Sequence, residues 1–253
     1  MRTLCSQNKY YQGVMPCKIF IICYTRGDYP SFFYDMNLFQ ENEKENYKLY
    51  QLFSIPLMSF NYGEISNYEF NIFDRYLKRA KENKFNYVTN ENYFLDKELP
   101  SLRKFIENSI DTYVSEVVGL DKSQGINFQI TQSWINISPP GCFGHHEHSH
   151  PNSYISGVFY IKVNDNDNII FKNEFVSKRD IRLESQNFNF FNTGQLSYPV
   201  KKAELILFPS NLVHQVDPID GGSDRISLSF NVFPFGLLGC REQLSELRIL
   251  EDK

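Results

Sequence analysis

Near residue 126 the hydrophobic period of the chain changes, from one apolar residue every three to four positions to strict alternation. The chain therefore has a helical part and a strand-rich part, because a side-chain period of 3.6 belongs to a helix and a period of two to a strand. Downstream, candidate strands run over 127–138, 154–163, 168–175, 204–208 and 225–233, separated by Pro, Gly and Asn-Asp clusters. Many short strands parted by turn signals predict a sandwich or barrel. The cleanest alternation lies in 225–233, where Ile226, Leu228, Phe230 and Val232 share one face and Arg225, Ser227, Ser229 and Asn231 the other. In 154–163, Tyr154, Ser156, Val158 and Tyr160 likewise oppose Ile155, Gly157, Phe159 and Ile161. The run Asn-Asp-Asn-Asp-Asn at 164–168 reads as a hairpin turn, since it lacks the glycine and the closing glutamate of a calcium loop.

Upstream, residues 47–120 read as mostly helical. Ser66 and Glu69 have capping-box spacing, and Ile65 and Phe70 suit a hydrophobic staple. Phe70, Phe73, Tyr76, Leu77 and Ala80 then fall on one helical face. A second helix begins at Pro100, a favoured first-turn residue, and carries the stripe Leu102, Phe105, Ile106, Ile110, Tyr113, Val114 and Val117 to a stop at Gly119. Residues 1–46 have no clear period and form an expected N-terminal extension, within which Met36 is an alternative start. The expected organisation is this extension, a helical region 47–120, a β core 121–240 and a tail 241–253.

Of the 253 residues, 42% are hydrophobic and 16% aromatic, enough to bury a core and to argue against global disorder. Net charge is −4 and no Lys/Arg run exceeds two residues, so the sequence shows no phosphate-backbone footprint. Five cysteines without CxxC spacing suit a reducing cytoplasmic compartment. The apolar stretch Ile19–Tyr24 is too short to span a bilayer and lacks a signal-cleavage site.

The chain has five histidines, and four of them are His145, His146, His148 and His150. The fifth, His214, follows the apolar strand 204–208 and a Pro209-Ser210 turn, and Arg225 comes eleven positions later. Alone, such a cluster suits a solvated loop as well as a metal site. If helices cover the outer face of the strands, however, the face bearing Arg225 lines an interior. A buried guanidinium there requires an anion, and a carboxylate held bidentately is its natural partner. Two ligand registers are open. His145-His146-Glu147 supplies two imidazoles and a carboxylate, whereas His148-Ser149-His150 supplies two imidazoles to join His214. In the second, His146 shares the strand face of His148 and His150, and Glu147 points away.

The ordered set Ser133-Trp134-Ile135-Asn136, Pro140-Gly141, His148-Ser149-His150-Pro151-Asn152-Ser153, Ser156-Gly157-Val158-Phe159-Tyr160, Leu207-Phe208-Pro209-Ser210, His214 and Arg225-Ile226-Ser227 resembles the Fe(II)/2-oxoglutarate-dependent oxygenases of prolyl-4-hydroxylase type. More narrowly, it is similar to a 2OG-Fe(II) oxygenase family of bacteria and phages. The resemblance covers roughly residues 49–235. It implies a mainly β (α+β) fold, a double-stranded β-helix (jelly-roll) core with N-terminal helices packed on its outer face. It implies Fe(II) held by His148, His150 and His214, with 2-oxoglutarate as cosubstrate. Arg225 would anchor the far carboxylate, with Ser227, Tyr160 and Asn136 completing that site. The family favours the second register, although a third imidazole then stands where the wider superfamily has a carboxylate. The prime substrate and oligomeric state are not legible; the 176–200 stretch, with Phe188, Phe190, Phe191 and Tyr198, is the expected substrate loop.

Overall fold

The computed structural model describes residues 52–250, apart from 84–85, 90–91, 97, 121, 143, 180, 182 and 220–221. The expected extension 1–46, with Cys5, Cys17 and Cys23, lies outside the described residues. The chain divides at Ser54–Ile55, and the unit described below is Ile55–Lys253.

In chain order the elements are β1 (Met58–Asn61), α1 (Asn67–Leu77), β2 (Lys81–Glu82), β3 (Tyr87–Val88), α2 (Pro100–Tyr113), β4 (Asn127–Ser138), β5 (His145–His148) and β6 (Ile155–Lys162). There follow β7 (Asn168–Lys172), α3 (Glu174–Ser177), β8 (Gln195–Pro199), β9 (Glu204–Pro209), β10 (His214–Val216), β11 (Arg225–Leu238) and β12 (Leu247–Ile249). The molecule is mostly β with few helices, as the change of period predicts. Its strands form two antiparallel sheets. The larger runs β1-β9-β6-β11-β4-β3-β2, with β12 also on β11, and the smaller runs β5-β10-β7-β8.

The helices form where local chemistry directs. The Ser66 side chain accepts from the Glu69 backbone N–H, and Glu69 accepts from the Ser66 N–H, so both halves of the capping box are made. Pro100 opens α2. At its C-terminal end the chain widens into a π-turn over Val114–Val118 before Gly119 closes it in the left-handed region, φ 76°. The extra residue of that turn shifts the apolar stripe by one position. Val118 packs on the core and Val117 is exposed, the reverse of what a continuous 3.6 period implies.

α1 and α2 pack on one face of the larger sheet. Ile72, Phe73, Leu102, Ile106 and Ile110 join Ile135, Phe159, Leu205, Leu207, Leu228 and Phe230 in one buried cluster. Each such aliphatic or aromatic side chain contributes about 2 kcal/mol when withdrawn from water. A second, smaller cluster lies between the sheets, where Tyr160, Ile206 and Phe208 of the larger meet Ile169 and Phe171 of the smaller. The period of two delivers this division. In β6, Phe159 and Ile161 join the helix-side cluster while Tyr160 joins the inter-sheet one. In β11 the apolar face joins the helix-side cluster, and Arg225, Ser227 and Ser229 face the other sheet across a cavity. The turn at 164–168 is not a hairpin: β6 and β7 belong to different sheets, so it carries the chain from one to the other. The local sequence dictates a turn there but not which partner the next strand finds.

Candidate active site

The inter-sheet cavity is lined by Trp134, Asn136, Tyr160, Arg225, Ser227 and Ser229, among others, and by His145, His148, His150 and His214. At one end the two His-bearing segments meet. β5 pairs with β10 so that His148 lies opposite His214, and His150 follows just beyond β5, its backbone N–H donating to Ser210. The ring centroids of His148 and His150 stand 4.4 and 5.1 Å from that of His214, and one nitrogen from each ring lies within 4.8 Å of the others. Trp134 stacks on His150 at 6.1 Å, and Phe208 meets His214 edge-on at 5.0 Å.

Hydrogen bonds fix how each ring is used. His148 Nδ1 lies 2.7 Å from the His146 carbonyl, His150 Nδ1 2.8 Å from Asn231 Oδ1, and His214 Nδ1 2.9 Å from the Leu212 carbonyl. An oxygen that can only accept demands a proton on each Nδ1, so every Nε2 lone pair is free. Three such lone pairs suit a divalent ion, as three neutral ligands leaving open coordination positions. Burial, the largest cause in each case, holds all three imidazoles below the usual histidine range, His214 down to about 3. They therefore stay neutral, the state a ligand requires.

His145 is the residue that strand alternation misplaces. Alternation puts His146 on the face of His148; instead His145 lines the cavity and His146 is exposed. The cause is a β-bulge. His214 pairs with His148 and Val216 with His145, so three steps along β5 match two along β10. Gly144 permits the close approach of the strands, because a Cβ there would sit 1.9 Å from the Val216 carbonyl oxygen. His145 lies close to the metal-type set, its ring 5.1 Å from that of His148, yet its Nε2 lies 3.3 Å from Asn86 Nδ2. Burial first, then the neighbouring rings and Arg225, push it down to about 4. Glu147 is exposed, with Lys172 Nζ at 3.6 Å. The carboxylate of the first register thus lies away from the cavity.

At the other end of the cavity stands Arg225, buried and with a single hydrogen bond, Nη1 to the Asn168 carbonyl at 3.2 Å. Among the described residues no carboxylate pairs with it. Burial lowers its pKa, but a guanidinium keeps its charge. Tyr160 is buried beside it, and burial raises its phenol far above the usual range, so it remains an O–H donor. Ser227 pairs with Tyr160 across β6 and with Asn136 across β4. Asn136 Nδ2 donates to Ser229 Oγ at 2.9 Å. A cavity of about 500 Å³, bounded by the polar turn at 163–168 and by Asp217, Pro218 and Gly222, shares Arg225 as a wall. His148, His150, His214, Arg225, Ser227, Tyr160 and Asn136 therefore line one cavity, whereas His146 and Glu147 of the first register do not. Asn86 and the inward turn of His145 were not legible in the sequence.

Residues 132–231, which span the whole of this cavity's chemistry from β4 to β11, match the family described as "Putative 2OG-Fe(II) oxygenase". The non-haem α-ketoglutarate-dependent carbocyclase SnoK of nogalamycin biosynthesis superposes with a TM-score of 0.51 at 12% identity, over 79% of this chain and 90% of that one, and shares its fold. A prolyl-4-hydroxylase of Pseudomonas putida superposes with a TM-score of 0.42 at 13% identity, over 70% of this chain and 93% of that one. No curated protein matches the sequence. Residues 132–231 thus carry the likeness to the 2OG-Fe(II) oxygenases, and with the three-histidine set they support oxygenase chemistry that uses Fe(II) and 2-oxoglutarate. Fe(II) and 2-oxoglutarate are its cofactor and cosubstrate.

Proposed function

We propose that the protein hydroxylates a C–H bond of its substrate while 2-oxoglutarate becomes succinate and CO2, on a double-stranded β-helix whose two sheets are those described above. His148, His150 and His214 hold Fe(II) through Nε2. Bound there, iron would supply the redox chemistry that couples O2 to decarboxylation; the chain supplies geometry and charge. Arg225 takes the far carboxylate of 2-oxoglutarate, with the Tyr160 hydroxyl and Ser227 beside it, and Asn136 lines the path between guanidinium and metal. Three neutral ligands leave the ion its full double charge, which favours a dianionic cosubstrate. The expected units 1–46, 47–120, 121–240 and 241–253 stand in this reading as extension, helical cover, catalytic core and tail.

One observation carries the reading: a buried guanidinium without a carboxylate partner faces three converging lone pairs across a single cavity. A three-histidine protein that does not use 2-oxoglutarate has no use for that cation, and a non-catalytic module has none for the convergent rings. The substrate itself is open, and the exposed Phe188 and Phe190 of the 176–200 stretch are suited to meet it. Reconstitution with Fe(II) and 2-oxoglutarate without oxygen tests the proposal. A weak visible charge-transfer band should form, vanish in His214→Ala and weaken in Arg225→Ala. Iron bound to the wild type with no such band overturns it.

A further inference from the structure

The His145–Asn86 pair has no part in the metal set, yet the hydrogen bonds around it assign its proton. Asn136 Nδ2 donates to Ser229 Oγ, so Asn136 Oδ1 is an acceptor and receives Asn86 Nδ2 at 3.4 Å. Asn83 Nδ2 lies 3.3 Å from Asn86 Oδ1, which fixes the same amide orientation from its other side. The Asn86 nitrogen therefore also donates to His145 Nε2. A neutral imidazole has one lone pair, and here it is spent on Asn86. His145 thus carries its proton on Nδ1, as His148, His150 and His214 do, but here the Nε2 lone pair is taken and the Nδ1–H is the free group. It is no fourth ligand; it is a hydrogen-bond donor, and among the described residues nothing accepts from its Nδ1.

Its place along the sheet says what passes in front of it. On the smaller sheet His214 is level with His148 and Phe171, and Val216 with His145. Asn168, whose carbonyl holds Arg225, lies three residues before Phe171 in the same direction. The order along the cavity is metal set, His145, Arg225, with two residues, roughly 7 Å, between the first two. A molecule bound at both ends passes His145.

We propose that His145 is a further binding residue for 2-oxoglutarate, its Nδ1–H donating to the carboxylate at the keto-acid end, beside His148. The inference rests on the cosubstrate reading above. The bulge turns this ring inward, and Asn86 holds its tautomer.

The test is titration of 2-oxoglutarate into the iron-loaded protein without oxygen, followed by calorimetry. His145→Leu should bind 2-oxoglutarate about tenfold more weakly, roughly 1.4 kcal/mol, with iron affinity unchanged. His145→Gln, which keeps an N–H donor, should recover part of the loss. Asn86→Leu, which leaves the ring but frees its tautomer, should lose less than His145→Leu. 2-Oxobutyrate lacks the far carboxylate and should suffer the same fold-loss in His145→Leu. Wild-type affinity in His145→Leu, or a loss confined to 2-oxoglutarate, overturns the proposal. Failure of the iron-loaded wild type to bind 2-oxoglutarate at all overturns the cosubstrate reading, and this inference with it.

Discussion

Arg225 shows how one side chain is held at a cost to the fold. Its guanidinium has five N–H donors, a buried position and one protein acceptor. Withdrawing a cation from water without a hydrogen-bonded anion is destabilising; Asp167 acts on Arg225 through space only, and an arriving anion offsets the rest of the deficit. Replacement by methionine fills similar space without charge. Arg225→Met should raise the melting temperature of the metal-free protein by a few degrees, as calorimetry would show. The same variant should bind 2-oxoglutarate about 100-fold more weakly in the metal-loaded state, since a charged hydrogen-bonding partner contributes roughly 1.5–3 kcal/mol. A metal-free protein destabilised by the change would mean that the arginine serves the fold and not a ligand.

At the level of elements, what the sequence made legible is what short-range chemistry dictates. The capping box at Ser66, the proline at position 100 and the alternation of β4, β6 and β11 are each decided by residues within a turn or a strand. What escaped depends on partners far along the chain. The bulge in β5 exists because β10, some seventy residues away, sets its register. The expected hairpin at 164–168 fails because β6 and β7 pair in different sheets, which distant strands decide. Asn86 finds His145 across fifty-nine positions. The metal-type residues were legible because histidines are few here and their order is informative; the facing of His145 and His146 was not. Gly144, just before β5, lies against the backbone at the end of β10. A Cβ at that position would meet backbone on β10 at 1.9 and 2.6 Å, and backbone cannot rotate aside. Gly144→Ala should therefore displace β5, cost about 1–3 kcal/mol in thermal unfolding and weaken metal binding at least tenfold. An unchanged metal titration would show that β5 can shift without moving His148.

Over the whole molecule, the site acts as a pH-dependent load on folding. Burial lowers His145 to about 4 and His214 to about 3, and lowers His148 and His150 as well, against about 6.5 in an unfolded chain. Between those values the unfolded chain binds more protons than the native one, so stability rises with pH across that window. The metal-free protein should accordingly lose melting temperature as pH falls from 7.5 to 5.5, and His214→Gln should flatten that slope. A divalent ion that binds only the native state adds about 2.7 kcal/mol at a hundred times its dissociation constant. Chelation at neutral pH should remove that increment, and scanning calorimetry with and without chelator reads it directly.

β11 runs through the middle of the larger sheet, paired along most of its length to β4 on one side and β6 on the other. Its first eight residues, Arg225 to Val232, are all buried. Amides so enclosed exchange with solvent last, through near-global opening, while short edge strands such as β2 and β12 open locally. The residues that would grip the cosubstrate are thus mounted on the slowest-exchanging part of the protein. Fraying at the rim leaves their spacing untouched, and a breathing motion large enough to separate them would have to dismantle the sheet.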